Sequence, residues 1–305
     1  MLSHFRPKIL SRHPSHDVLR KKLSFPLFPF KSVIRLGSFT KLEDTLSENG
    51  NRIELNTVEA INNSADKLLM KQCFTKDKVK TADWFTIESS DRYIYYKNGD
   101  INIGSSDDNE NPLPFPLIAK HRLGSKGRGN YKLDSLEELK TWLNKRLDRL
   151  DEYIFEKFYN YVKEYRLHIT EDGCFYTCRK MLKSDTPDKD KWYRNDEHCV
   201  WIMEQNEAFD KPDSWDNILY NSIKALKSTG LDFGAVDVKV QSSTNKKGEK
   251  RNNADFIIIE INSAPSFGKV TEEKYLYILP QLLLNKYYKI IKQNDTTEKN
   301  IESTC

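Results

Sequence analysis

Glu260 and Asn262 stand two apart in Phe256-Ile257-Ile258-Ile259-Glu260-Ile261-Asn262, and on an extended strand that spacing turns both side chains to one face. The same alternation sends Ile257, Ile259 and Ile261 to the other face. A carboxylate set among isoleucines is costly to bury unless it is paired or holds a cation. An upstream apolar strand, Gly234-Ala235-Val236-Asp237-Val238-Lys239, supplies a second carboxylate in Asp237. Carboxylate and amide oxygens that leave room for water and phosphate oxygens suit Mg2+. The competing reading is a pair of strand-end acids that meet solvent or a lysine.

Phosphate chemistry is suggested by Gly124-Ser125-Lys126-Gly127-Arg128-Gly129, where the glycines allow close backbone approach to phosphate oxygens and Ser125 adds a hydroxyl. This loop lacks the Gly-Lys-Ser/Thr ending of a P-loop, and its glycine order is not that of a Rossmann turn. By itself it is equally a flexible hairpin. Lys120, closing the apolar run Pro116-Leu117-Ile118-Ala119, strengthens the phosphate reading.

A third constellation lies around Asp172-Gly173. With those two residues as a hairpin turn, Arg166 faces Arg179 across the strands, and like charges placed opposite each other are destabilising. An anion between them removes the conflict; the alternative is that both arginines splay into water. Glu164 and His168 share the Arg166 face, His168 as a structural hydrogen-bonding residue.

The elements that must position these groups can be read from the pattern. Asn56 to Phe74 carries helical apolar spacing, and Asp83 to Ile87 opens a β-containing lobe. Lys97 to Asn111 reads as a polar loop. Asp134 to Leu150 reads as a helix entered through the capping box Ser135-x-x-Glu138, so the order is strand, glycine loop, helix. Tyr153 to Phe158 is a strand, Asp213 to Thr229 a helix closed by Gly230, and Asn245 to Asn253 a solvated hairpin loop. Glu272 to Gln293 is helical with a break at Pro280, and a polar tail comes after it.

With 38% hydrophobic residues the 305-residue chain can build cores, and no apolar run approaches the ~20 residues of a membrane span. A formal net charge of +4 with 31% charged residues favours anionic ligands but falls short of a nucleic-acid tail. Five cysteines without paired metal-ligand spacing read as reduced thiols, with Cys174 and Cys178 on one strand face. Residues 1 to 35 are strongly basic, which resembles a transit peptide or a basic arm; the plain reading is a poorly ordered or surface-draped extension without assigned function.

Taken in order, these constellations resemble ATP-grasp ligases, particularly the ribosomal-protein glutamate ligase and peptide-ligase-like members, over roughly Ala65 to Phe267. Ser64-Ala65-Asp66-Lys67-Leu68-Leu69 is similar to the Asp-Lys helix that opens that core. Ile118-Ala119-Lys120 with its glycine loop is similar to the ATP lysine and phosphate loop, and Ile154-Phe155-Glu156-Lys157-Phe158 to the adenine hinge strand. Glu164-Tyr165-Arg166 resembles the element whose acid meets ribose and whose arginine faces phosphate or substrate. Arg179 resembles the second arginine, with Lys180 taking that place if the turn differs by one residue. Arg194-Asn195 resembles the variable-loop element, and Asp237 with Glu260-Ile261-Asn262-Ser263-Ala264-Pro265 the magnesium motif.

The resemblance implies an α+β ATP-grasp fold, with two β-rich lobes clamping ATP and a reduced N-terminal region. The expected divisions are a basic extension at 1–30, a reduced segment at 31–63, the catalytic domain at 64–293 and a polar tail at 294–305. Implied nucleotide-binding residues are Lys120, Gly124, Ser125, Gly127, Gly129, Glu156, Lys157, Glu164, Arg194 and Asn195. Asp237, Glu260 and Asn262 would hold two Mg2+ ions, with Mn2+ as a substitute, and Arg166 and Arg179 would be catalytic. The implied activity is ATP-dependent joining of a carboxylate to an amine through an acyl phosphate in a cytoplasmic enzyme. The amine belongs to a small molecule, a peptide or a protein terminus, with no membrane partner. Alternatives are an ATP-grasp kinase acting on a small-molecule hydroxyl and a non-catalytic nucleotide-binding module.

Overall fold

The computed structural model describes residues 4–23, 27–42, 52–89, 94–98, 101–105, 113–125, 127–194, 197–242, 244, 247–249, 251 and 253–302. Among these, three sheets carry the chain: β1-β2-β3, a six-stranded sheet in the order β6-β5-β4-β9-β7-β8, and a five-stranded sheet in the order β12-β11-β10-β13-β14.

The first sheet joins β1 (Lys8–Ser11), β2 (Lys31–Leu36) and β3 (Arg52–Leu55) in parallel. Between β1 and β2 lies α1 (Asp17–Lys22). The basic opening segment is therefore folded rather than draped. Its lysines and arginines mask an apolar set: Leu19, Leu23 and Phe28 are buried with Ile34 and Leu36 against Tyr275, Leu279 and Leu283 of α6 (Lys269–Glu302). Burying a leucine or phenylalanine contributes ~1.5–3 kcal/mol. Pro280 lies inside α6 without ending it, so the expected break is absent, and the helix runs on into the stretch read as a tail.

Asp66 divides the helical stretch after β3 into α2 (Val58–Ala65) and α3 (Lys67–Lys76). Its backbone is extended, and its carboxylate accepts from Leu68 N, capping α3. The six-stranded sheet begins with β4 (Trp84–Ser89), β5 (Ile94–Asn98) and β6 (Ile101–Ser105). The segment read as a polar loop thus contains the β5–β6 hairpin, because Ile101 and Ile103 make too short an alternation to stand out in a polar stretch.

β7 (Leu117–His121) and β8 (Asn130–Leu133) pair antiparallel, so the glycine loop is a hairpin tip and not the entrance to a helix. The helix comes one strand later as α4 (Leu136–Asn144), capped by Ser135 and Glu138 as its sequence indicated. β9 (Tyr153–Lys157) then pairs with both β7 and β4, and Phe85, Phe155, Trp142 and Leu139 form this lobe's core.

The five-stranded sheet holds β10 (Lys163–Thr170), β11 (Gly173–Leu182), β12 (Cys199–Met203), β13 (Phe233–Val240) and β14 (Phe256–Asn262). One face packs on α2, α3 and α5 (Trp215–Thr229), burying Tyr165, Leu167, Val236, Val238 and Ile258. The hairpin register differs from the expected one. Thr170 pairs with Gly173, which makes Glu171-Asp172 the turn, and Phe175 is an extra residue between the Ile169–Cys174 and His168–Tyr176 pairs. Arg166 therefore lies opposite Cys178, and Arg179 opposite Tyr165. A one-residue slip exchanges the faces, which separates Arg179 from Arg166 and Cys174 from Cys178. No disulfide joins the four cysteines at 73, 174, 178 and 199 among the described residues.

Candidate active site

Charged groups collect on the face of the five-stranded sheet turned away from α5. Glu164 and Arg166 alternate on β10, Asp237 and Lys239 lie directly across on β13, and Lys180 faces Glu164 from β11. Arg166 donates through Nε to Asp237 Oδ1 and through Nη2 to Oδ2, each at 2.7 Å. Lys180 Nζ lies 2.7 Å from Glu164 Oε1 and 3.5 Å from Asp237 Oδ2. Burial works against the charged forms here. The Arg166 and Lys180 cations nevertheless keep their pull toward Asp237 and rise above their usual ranges, and the carboxyl of Asp237 is held down at about 2.

On the adjoining strand Glu260 pairs with Asp237 and Asn262 with Ala235. Glu260 and Asn262 share a face as expected, with Asn262 Nδ2 donating to Glu260 Oε1 at 3.1 Å. The isoleucines do not alternate as the sequence suggested. Ile259 is an extra residue in the ladder, which puts Ile258 and Ile261 in the core and leaves Ile257 opposite Lys239.

This donor set fits Mg2+. Among the described residues no group of three or more His, Cys, Asp or Glu side chains converges, so a cation would have two carboxylates and one amide oxygen as protein ligands. Phosphate and water oxygens would fill the remaining positions. Asp237 Oδ1 accepts one guanidinium proton and keeps a second lone pair, Oδ2 accepts from Arg166 and, at 3.5 Å, from Lys180, and Glu260 accepts from Asn262 through Oε1.

Lysines from the six-stranded sheet and from α3 meet at Glu156. Lys120 Nζ donates to Glu156 Oε2 at 2.7 Å, and Lys71 of α3 approaches Glu156 Oε1 at 3.3 Å while donating to Thr81 Oγ1. Lys71 is fully buried, and burial brings its ammonium down to about 8 although Glu156 opposes the fall. Lys71 escaped the sequence reading because a lysine in a helix ordinarily faces water; the signal available was its position one turn after Lys67. Asp66 also pairs with Arg122 at 2.6 Å, and Lys67 Nζ donates to the Gly124 carbonyl, which ties α3 to the base of the glycine hairpin. Burial lowers the Lys67 ammonium, with the charge of Glu260 opposing the fall.

Gly124, Ser125, Gly127 and Gly129 all lie in the tip between β7 and β8. Gly129 has a φ of +78°, and a Cβ there would come within 3.0 Å of His121 Cβ. Lys157 ends β9 beside Tyr159, and its backbone N–H donates to Asp83 O. Arg194 Nη2 donates to Val162 O, while Asn195 lies outside the described residues. Lys239 lies 3.3 Å from the Trp192 carbonyl. A cavity of about 340 Å³ opens here, lined by Phe158, Asn160, Lys180, Trp192, Arg194 and Lys239 among others, with several cations and no carboxylate on its wall. His168 is buried with Nδ1 3.1 Å from Tyr275 Oη, and burial lowers its imidazolium to about 3.

Arg179 lines the same cavity but joins neither the Asp237 cluster nor the Glu156 cluster. It forms an ion pair with Asp210 on the opposite face, and Lys180 occupies the place expected of it. Trp201 of β12, which no motif indicated, covers the cluster: its ring centroid lies 4.9 Å from Arg166 Cζ and 5.2 Å from Lys180 Nζ.

The fold of this chain recurs in solved structures. The D-alanine–D-alanine ligase of Bacillus anthracis superposes with a TM-score of 0.58 at 15% identity, covering 95% of this chain and 99% of its own. The fold is ATP-grasp. The ATP-grasp ligase PsnB, solved with a minimal precursor, superposes with a TM-score of 0.54 at 12% identity over 92% of this chain and 99% of its own. The N5-carboxyaminoimidazole synthetase of Staphylococcus aureus, solved with ADP, reaches 0.52 at 16% identity over 77% and 54%. No protein-family model matches the chain, and no curated protein does. Among the described residues no helix is long and apolar enough to cross a membrane.

Proposed function

We propose that this chain is an ATP- and Mg2+-dependent ligase that joins a carboxylate to an amine through an acyl phosphate. The observation that carries this reading is the presence of two charge clusters, Lys120–Glu156 on the six-stranded sheet joined by Lys71 of α3, and Arg166–Asp237–Lys180 with Glu260 and Asn262 on the five-stranded sheet. Several solved proteins of this fold are ligases by name, and one, from B. anthracis, was solved with ATP.

ATP would lie between the lobes, its base end at the hinge near Glu156 and Lys157 and its ribose near Glu164. Lys120, Lys71 and the backbone amides of the glycine tip, with Ser125, would hold the phosphates, and Arg194 would close the site. Asp237, Glu260 and Asn262 would hold Mg2+, which supplies charge neutralisation across the phosphate oxygens when bound. A substrate carboxylate oxygen attacks the γ-phosphorus, the bond to the β-phosphate oxygen breaks, and ADP leaves. The amine then attacks the acyl carbon; the C–O bond to phosphate breaks, and the amine loses a proton. Arg166 and Lys180 would stabilise the negative charge that develops in both steps.

The test is ADP release from Mg·ATP across a panel of acids and amines, with the product mass determined. Release dependent on both partners, with an amide product, is expected, and Glu260→Ala should reduce it about a hundredfold or more without unfolding the protein. A phosphorylated alcohol as the product would make the enzyme a kinase instead. Nucleotide binding without any turnover would leave a binding module.

A further inference from the structure

Trp201 takes no part in the proposed bond-making steps, yet its location is specific. Cross-strand pairing sets it opposite Lys180, so both side chains rise from the same face of the sheet. Its ring also reaches Arg166 on the next strand over, and each cation lies within cation–π range of its centroid. β12 is the edge strand, so at the level of Lys180 this ring is the last side chain on the face before the sheet ends.

Arg166 and Lys180 both converge on Asp237, which brings two like charges together in a poorly hydrated place. An aliphatic neighbour there would exclude water and give the cations nothing in return. An indole face excludes water and is attractive to both. A cation held by Asp237 would take up part of the counter-charge that Arg166 and Lys180 share. The ring is then the fixed group that keeps them in position, because β12–β11 pairing anchors it independently of any ligand.

We infer that Trp201 is a positioning residue for phosphoryl transfer, walling Arg166 and Lys180 off from solvent and holding them where the transferred phosphoryl group is met. The inference rests on the ligase reading of the same site and adds to it a residue outside the nucleotide and metal contacts.

The experiment compares Trp201→Phe, Trp201→Leu and Trp201→Ala by Mg·ADP affinity, Mg·ATP turnover at low and high KCl, thermal midpoint, and exchange of the Arg166 Nε proton by NMR. The Phe variant should stay within about threefold of wild type, because a π face remains. The Leu variant should keep its thermal midpoint and lose turnover roughly three- to thirtyfold. The Ala variant should lose at least as much, become salt-sensitive where wild type is not, and exchange the Arg166 Nε proton faster. Equal behaviour of the Leu and Phe variants, or an Ala variant with wild-type salt dependence and exchange, overturns the inference. A wild-type protein that neither binds Mg·ADP nor turns over ATP overturns the ligase reading. In that case Arg166 proton exchange still decides whether the ring walls off the guanidinium.

Discussion

Arg166 and Asp237 meet edge to edge across two neighbouring strands, with two parallel hydrogen bonds of 2.7 Å. This fork fixes the carboxylate plane as well as its charge, directly across the ladder from Glu260. A lysine alone could not do this.

The pair makes acid stability informative. Burial raises the Asp237 carboxyl, but Arg166 and then Lys180 outweigh it and hold it at about 2, below its ordinary value. Its contribution is therefore fully present above pH ~4 and is lost as pH falls through about 2. Urea unfolding of wild type should show that loss, whereas Asp237→Asn should begin less stable at neutral pH and fall more gently. Parallel acid profiles for the two proteins would contradict the pairing.

Lys239 has the opposite sign. Burial pulls its ammonium from 10.5 to about 8 against the attraction of Glu164, with Arg194 and Lys120 adding to the fall. A cation depressed on folding opposes folding fully below pH 8 and is relieved as pH rises from 8 toward 10.5. Lys239→Met should raise the ligand-free thermal midpoint at pH 7 by a few degrees, on the order of 2–4 °C. It should also remove part of the alkaline rise and weaken Mg·ATP binding. Calorimetry showing unchanged nucleotide affinity would take Lys239 out of the site.

Arg179 and Lys180 are neighbours in sequence with different expected fates. The Arg179 pair involves an Asp210 side chain that is 47% exposed, so Arg179→Met should change stability by no more than about 1 kcal/mol and keep turnover. Lys180→Met leaves Glu164 without its cation and should lower turnover about a hundredfold. Single-turnover ADP formation by the two variants provides the comparison, and the reverse ranking would restore Arg179 to the site.

Gly37 couples the N-terminal sheet to the site. Its φ is +68°, and a Cβ there would stand 2.7 Å from Ala264 Cβ, two residues after Asn262. Gly37→Ala should destabilise by about 1–3 kcal/mol from backbone strain and overlap together, and should shift the Mg2+ dependence of turnover. Denaturant unfolding with a Mg2+ titration tests both effects.

Local pattern was enough for the parts of this chain whose information lies within a few residues. Ser135 and Glu138 mark a helix start, Gly230 a helix end, and the two-residue spacing of Glu260 and Asn262 a shared strand face, each because capping and pleat geometry act over a single turn or a strand pair. The two-lobed arrangement came instead through the resemblance carried by the order Lys120, Glu156, Glu164, Asp237, Glu260. Register was decided otherwise. The extra residues at Phe175 and Ile259 are set by how β11 and β14 fit their neighbours, and each exchanges the faces of the strand residues beyond it, which is why Lys180 rather than Arg179 joins Asp237. Burial was decided by packing from afar: Lys71 is enclosed by α3 meeting β9, Leu19 and Leu23 by α6 arriving some 250 residues later, and Trp201 meets Arg166 only through the strand order. Contacts between segments so distant leave no periodic trace in either one, so only the assembled fold selects them.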